Sequence, residues 1–147
     1  MKKVYDTINQ YCVEHELLTN GDGIVIGLSG GMDSVCLLQV LAALRNEWQL
    51  RLVCVHVHHG IRGTAADEDA AFAQRLAAKY NISFRLYEMD IPQLAKEQGL
   101  SEEEAGRNYR YRCFEEVRKE LNFDKIAVAH HRDDQAETVL WQILRGS

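Results

Sequence analysis

Proline is almost absent: Pro92 stands alone among 147 residues, and no stretch is rich in Pro, Gly or Ser, repetitive or of low complexity. Nothing therefore marks an internal linker, and the length fits one domain able to remove roughly two thirds of its unfolded surface from water. Paired cysteines are missing too, since Cys12, Cys36, Cys54 and Cys113 lie far apart with no Cys-x-x-Cys. That spacing excludes a zinc knuckle and a disulfide framework and leaves reduced core thiols. No apolar run approaches the roughly 20 residues of a membrane-crossing helix. Met1-Lys2-Lys3-Val4-Tyr5-Asp6 leads into polar residues rather than a signal peptide's apolar stretch. The expectation is a cytoplasmic protein with no membrane contact. Positive charge is scarce, with 17 Lys and Arg against 22 Asp and Glu, a net −5. A protein whose whole surface binds nucleic acid has the other sign, so any such contact is local. What is present is ordinary for a folded domain: 46% apolar and 27% charged residues, too hydrophobic for general disorder.

Over residues 3–17, Val4, Ile8, Tyr11 or Cys12 and His15 recur at helical spacing. Asn20-Gly21-Asp22-Gly23 interrupts them before the apolar run Ile24-Val25-Ile26-Gly27-Leu28. The reading is helix, turn, buried strand. Beyond a Gly-rich turn at 29–33, Val35, Leu37, Leu38, Leu41 and Leu44 mark a helix, and Leu52 to Val57 a second strand. The pattern repeats with a helix through Ala71, Phe72, Leu76 and Tyr80, a strand near Ile82 to Tyr87, a helix from about 101 to 120 and a strand at Lys125 to Ala129. A last helix is expected from near Asp133. Ser101 and Glu104 have the spacing of a capping box. Alternating strands and helices, with strands apolar along their length, predict an α/β fold: a doubly wound parallel sheet with helices on both faces. Ligands of such sheets sit beyond the carboxyl ends of the strands, where strand order reverses. Ser29 to Ser34, His58 to Arg62 and His130 to Glu137 each follow a strand, so one shared site is expected.

Ser29-Gly30-Gly31-Met32-Asp33-Ser34 joins an apolar strand to an apolar helix. Two glycines permit positive φ and close approach of backbone to a ligand, so several N–H groups can converge on an anion at the helix's positive end. Ser29 and Ser34 add hydroxyls, and Asp33 can hold a Mg²⁺ that bridges phosphate oxygens. The bland alternative is a tight turn with a Ser or Asp cap. Neither Gly-x-x-x-x-Gly-Lys-[Ser/Thr] nor Gly-x-Gly-x-x-Gly is present.

Ser-Gly-Gly-x-Asp-Ser after a first strand resembles the PP-loop of the N-type ATP pyrophosphatases, which cleave ATP between the α and β phosphates and transfer AMP to a substrate oxygen. Together with His58-His59-Gly60-Ile61-Arg62, Arg107-x-x-Arg110-Tyr111, His130-His131-x-Asp133-Asp134-Gln135-x-Glu137-Thr138 and a closing Arg145-Gly146-Ser147, it is similar to the tRNA(Ile)-lysidine synthetase family over roughly residues 24–147. The resemblance implies that residues 1–147 are a PP-loop ATP pyrophosphatase catalytic domain truncated on its C-terminal side, of the adenine nucleotide alpha hydrolase type. It implies ATP and Mg²⁺ as cofactors, free L-lysine and an isoleucine tRNA as partners, and a ligase that joins lysine to the wobble cytidine through an adenylated intermediate. A homodimer is compatible with it. The family's sheet usually has five parallel strands, and four are visible here.

Acidic residues 133, 134 and 137 complement a helix macrodipole if they do nothing else. By resemblance Asp134 and Glu137 hold the ammonium groups of lysine, and Asp33, Arg110, Asp134 and Glu137 form the catalytic set. His59 and His131 are expected to donate to ATP beside Ser29, Gly30, Gly31, Met32, Asp33 and Ser34, while a hydrogen-bonded structural histidine is an equal reading for His56 and His130. Arg107 and Arg110, three apart with Tyr111 adjacent, give one helical face for phosphate or a base; the alternative is a helix paired to its own glutamates. Arg62 and Arg107 are assigned to RNA, and Asp67-Glu68-Asp69 to a charged first turn. Rival readings are a tRNA thiolase, whose sulfur chemistry calls for the missing Cys-x-x-Cys, a non-catalytic ATP-binding module, and an amidotransferase-linked synthetase with no RNA contact.

Overall fold

The first apolar run becomes β1 (Gly23–Gly27), buried at every residue and central to the sheet. The protein is described by a computed structural model over residues 18–29, 32–60, 63–129 and 143–145. α1 (Met32–Trp48) follows, then β2 (Arg51–His58), α2 (Thr64–Lys79), β3 (Ser83–Glu88), α3 (Ile91–Gln98), α4 (Glu102–Leu121), β4 (Lys125–Val128) and β5 (Ile143–Arg145). The sheet order is β3-β2-β1-β4-β5. β1 pairs in parallel with β2 and β4, and β2 with β3. The chain thus winds outward from β1 on one side and resumes on the other, putting the switch point between β1 and β4.

Alternation along β1 divides the core. Ile24 and Ile26 face α1 and α2, joining Leu37, Leu38, Leu41, Leu44 and Ala73 in one cluster. Val25 faces the other side with Val53, Val55, Phe114 and Val117, under α4. Ile24, Ile26, Leu37, Leu38, Leu41 and Leu44 are wholly withdrawn from water, each stabilising by about 1.5–3 kcal/mol. The doubly wound sheet read from the sequence is present, with its crossover helices on both faces.

Two elements differ from expectation. β5 pairs antiparallel with β4, so the fifth strand is not parallel; its three residues are too short to show a period. α3 was not expected, although Asp90 caps it by accepting from Gln93 N–H at 3.1 Å, Pro92 sits in its first turn and Gly99 ends it at φ 67°. α4 begins as the spacing predicts, with Ser101 Oγ accepting from Glu104 N–H at 3.1 Å. The helices expected over 3–17 and from Asp133 lie outside the described residues.

Candidate functional site

At the switch point a cleft of about 260 Å³ opens over the carboxyl ends of β1, β2 and β4, just below the roughly 300–1,000 Å³ usual for small-molecule sites. Gly27 to Ser29 form its floor, Val128 and Ala129 one flank, and Arg107, Arg110, Tyr111 and Phe114 of α4 its wall. Gly27 is required there, because a Cβ would stand 2.6 Å from Phe114 Cζ and 2.9 Å from Val128 Cγ1. Phe114 in turn meets Tyr111 edge to face, with ring centroids 5.8 Å apart.

The peptide that leads from β1 into the Gly-rich turn is gripped from both sides. His56 Nδ1–H donates to the Leu28 carbonyl at 2.6 Å, and Ser29 N–H donates to Ser34 Oγ at 3.3 Å. Ser29 Oγ also lies 3.3 Å from Ser34 Oγ, so the two serines meet where the sequence expected them. His56 is 4% exposed, and burial lowers its pKa against the opposing pull of the Leu28 bond. It is a neutral ring that donates from Nδ1, which answers the structural reading of that histidine.

Arg110 supplies the charge. Its half-buried guanidinium has no carboxylate within ion-pair distance among the described residues. Burial, then neighbouring Arg107, lowers its pKa. Desolvation without a partner is costly, and an anion in the cleft would offset that cost. Gly106 makes room, since a Cβ there would lie 3.3 Å from Arg110 Nη1. His59 lines the same cleft, and partial burial together with Arg110 lowers its pKa, keeping it neutral at pH 7. Beyond His59 and Arg110 a smaller recess of about 220 Å³ runs to Ile91, Pro92, Glu102 and Glu103.

Of the residues singled out in the sequence, Ser29, His59, Arg107 and Arg110 line one cleft, and Ser34 touches it through Ser29. Met32 and Asp33 lie in the first turn of α1 by their backbone. Gly30, Gly31, Arg62, His131, Asp134 and Glu137 lie outside the described residues. Arg118 fits the alternative of a helix paired to its own glutamates: it is buried, holds Glu115 through two hydrogen bonds and donates to the Phe123 carbonyl. One reading changes. Asp67 is more than a first-turn acid, because its Oδ1 accepts from His58 Nε2–H at 2.8 Å. Phe114 was missed, since a buried aromatic on a helix reads as core; its tie to the cleft shows only opposite Gly27.

Oxygen donors dominate the turn, and among the described residues no group of three or more His, Cys, Asp or Glu side chains is placed to hold a metal. That set fits Mg²⁺ held by one carboxylate and by substrate phosphates rather than by a protein cage. Cys54 and Cys113 are buried thiols, Cys54 pushed up to about 12 by burial, as expected of inert core residues.

A parallel sheet that gathers anion-binding groups at its switch point has the layout of α/β proteins that hold nucleotides. Residues 2–147 match the model of the PP-loop domain, and the chain belongs to that family, for which ATP is the nucleotide. It is 48% identical over 147 residues to the tRNA(Ile)-lysidine synthase of Caldanaerobacter subterraneus subsp. tengcongensis, covering all of this chain and 31% of that protein. With the tRNA(Ile)-lysidine synthase of Clostridium tetani the identity is 41% over 144 residues, covering 98% of this chain and 30% of the relative. The chain thus spans about a third of the length of these curated relatives. Among solved structures it is similar to the U34-tRNA thiolase NcsA from Methanococcus maripaludis, with a TM-score of 0.68, 21% identity and coverage of 86% of this chain and 44% of that one. It is also similar to the NH3-dependent NAD synthetase from Campylobacter jejuni, with a TM-score of 0.61, 19% identity and coverage of 85% and 54%. These two likenesses concern the fold. No helix among the described residues is long and apolar enough to cross a membrane.

Proposed function

We propose that this chain is the ATP-handling part of a cytoplasmic ligase that joins L-lysine to the wobble cytidine of an isoleucine tRNA. The observation that carries the proposal is Arg110, a half-buried cation without a carboxylate partner among the described residues, lining one cleft at the switch point with Ser29, whose N–H is held by Ser34 Oγ. The names carried by the curated relatives supply the substrates. In this reading the ATP phosphates lie on residues 29–34 with Mg²⁺ at Asp33, which would neutralise charge on the phosphate oxygens. Arg110 stabilises the charge that builds at the α-phosphorus, and His59 donates beside it.

Two displacements follow. The 2-carbonyl oxygen of cytidine attacks the α-phosphorus and pyrophosphate leaves. The lysine amine then adds to the activated carbon, the C–O bond to AMP breaks, and the amine proton passes to a carboxylate. Asp134 and Glu137 are the proposed ammonium ligands, and Arg62 and Arg107 the proposed RNA contacts, reached by a cytidine splayed out of its loop.

Calorimetry of the 147-residue chain with Mg-ATP tests the first half: binding is expected, and a wild-type chain that releases no heat overturns it. Labelled lysine tests the second in the longer protein that carries this segment. ATP-dependent incorporation into isoleucine tRNA, lost in Asp33→Ala, is expected; label appearing without tRNA, or sulfur in place of lysine, overturns it.

A further inference from the structure

We propose that His58 is a positioning residue: its ring, donating from Nε2 and accepting at Nδ1, holds the turn that carries His59 into the cleft. The tautomer follows from the neighbours. Gly60 N–H donates to His58 Nδ1 at 3.0 Å, so Nδ1 bears no proton. Nε2 lies 2.8 Å from Asp67 Oδ1, a carboxylate oxygen that only accepts, so Nε2 carries the hydrogen. His56, two residues earlier on β2, has the opposite tautomer, since its Nδ1 faces the Leu28 carbonyl. The His58 ring is 6% exposed and ties β2, the following turn and the first turn of α2 together.

The turn is tightly seated. Gly60 stands at φ 81°, and a Cβ there would lie 2.6 Å from both Asp90 Cα and Met89 O. Ile91 N–H donates to the His59 carbonyl at 3.1 Å, which fixes the other side of the same turn. His59 is therefore aimed by packing against the β3–α3 junction and by the His58 acceptor. The charged groups facing His58 are Asp67 from α2 and Glu88 from β3, whose Oε2 is 3.5 Å from Nδ1, with His56 as the titratable neighbour on its own strand.

The link from His59 to ligand rests on the function proposed above, so the test has an arm that does not. Long-range ¹⁵N NMR of the labelled chain at pH 7.5 is expected to show His58 as the Nε2–H tautomer and His56 as the Nδ1–H tautomer. In His58→Phe the Gly60 amide, deprived of its acceptor, should exchange about tenfold faster than in the wild type. In the second arm, Mg-ATP affinity is measured at pH 7.5. His58→Asn, whose Oδ1 can accept from Gly60 N–H in place of the ring, should keep the wild-type affinity. His58→Phe, folded by circular dichroism, should bind about fivefold more weakly at pH 7.5. An Nδ1–H tautomer or a doubly protonated ring at pH 7.5 overturns the proposal, as does His58→Phe with wild-type affinity. A wild-type chain that binds no nucleotide overturns the proposed function instead, and the NMR arm then decides for His58.

Discussion

At the amino end of the sheet Lys125 Nζ lies 2.5 Å from Asp22 Oδ2, both side chains less than a tenth exposed, whereas at the carboxyl end the Arg110 guanidinium faces an open cleft with no such partner among the described residues. The amino end is closed in other ways as well. Thr19 N–H donates to Asp22, Gly23 N–H donates to Asp124, and Arg51 joins Asp124 while lying 5.1 Å over the Phe123 ring. Asp22, Lys125, Asp124 and Arg51 are thus each held by another part of the chain. At the other end the backbone is just as firmly held, by His56, Ser34 and His58, yet the cation is left open. Rigid donors around an unneutralised charge are what a site preorganised for an anion requires. Around Lys125 and Arg110, charge pairing thus separates the end that holds the fold together from the end proposed to act.

The strongest way to break this comparison is Lys125→Met, which strands the buried Asp22 carboxylate. A loss of about 3–5 kcal/mol is expected in urea denaturation, with most of it regained in Asp22→Asn/Lys125→Met. Mg-ATP affinity of the folded fraction should not move. Arg110→Gln is the mirror experiment. Losing one charged contact to phosphate should weaken Mg-ATP about 10- to 100-fold by calorimetry. The melting temperature should hold or rise, because a desolvated cation without a carboxylate partner has been removed. A loss of stability matching that of Lys125→Met would make the two ends alike and Arg110 structural.

How much of this was legible in the sequence depends on the range over which each feature is encoded. β1, β2 and β4 were readable because strands covered on both faces are apolar throughout, and α4 because Ser101 and Glu104 announce its start. α3 carries equally local signs in Asp90, Pro92 and Gly99, but its eight residues give too few turns for a period to stand out. In the site, Ser29, Ser34 and His59 were found because each follows a strand, and Arg107 and Arg110 because they share a helical face. The pairing of His58 with Asp67 was missed because a side chain's partner depends on where its ring finally rests. Gly27 against Phe114 is the same lesson at long range, a contact that only the packing of α4 on β1 creates.

The two glycines that begin and end β1 sharpen the contrast at smaller size. A Cβ on Gly23 would stand 2.5 Å from Phe123 Cδ1, and one on Gly27 2.6 Å from Phe114 Cζ. Gly23→Ala and Gly27→Ala should each cost about 1–3 kcal/mol in thermal or urea unfolding. Only Gly27→Ala should also weaken Mg-ATP binding, since Gly27 and Phe114 both line the cleft, and Phe114→Leu should relieve part of its cost. Equal effects on affinity at both positions would mean that strain spreads along β1 and the ends are not independent.

The smallest effect is a pH dependence of stability that belongs to the carboxyl end alone. Burial lowers the pKa of His56, and burial with Arg110 lowers that of His59. In the unfolded chain both rings take a proton near pH 6.5. Between that value and the lower folded one the unfolded state binds more protons, so stability rises with pH. The contribution is complete above about pH 6.5 and is lost as pH falls through the window toward the folded values, by no more than about 1.4 kcal/mol per pH unit for each ring. The melting temperature should therefore drop between pH 7.5 and 5.5. The drop should shrink in His56→Asn, whose amide can still donate to Leu28, and again in His59→Asn. A drop of the same size in both variants would assign the acid sensitivity to other groups and remove His56 and His59 from the account.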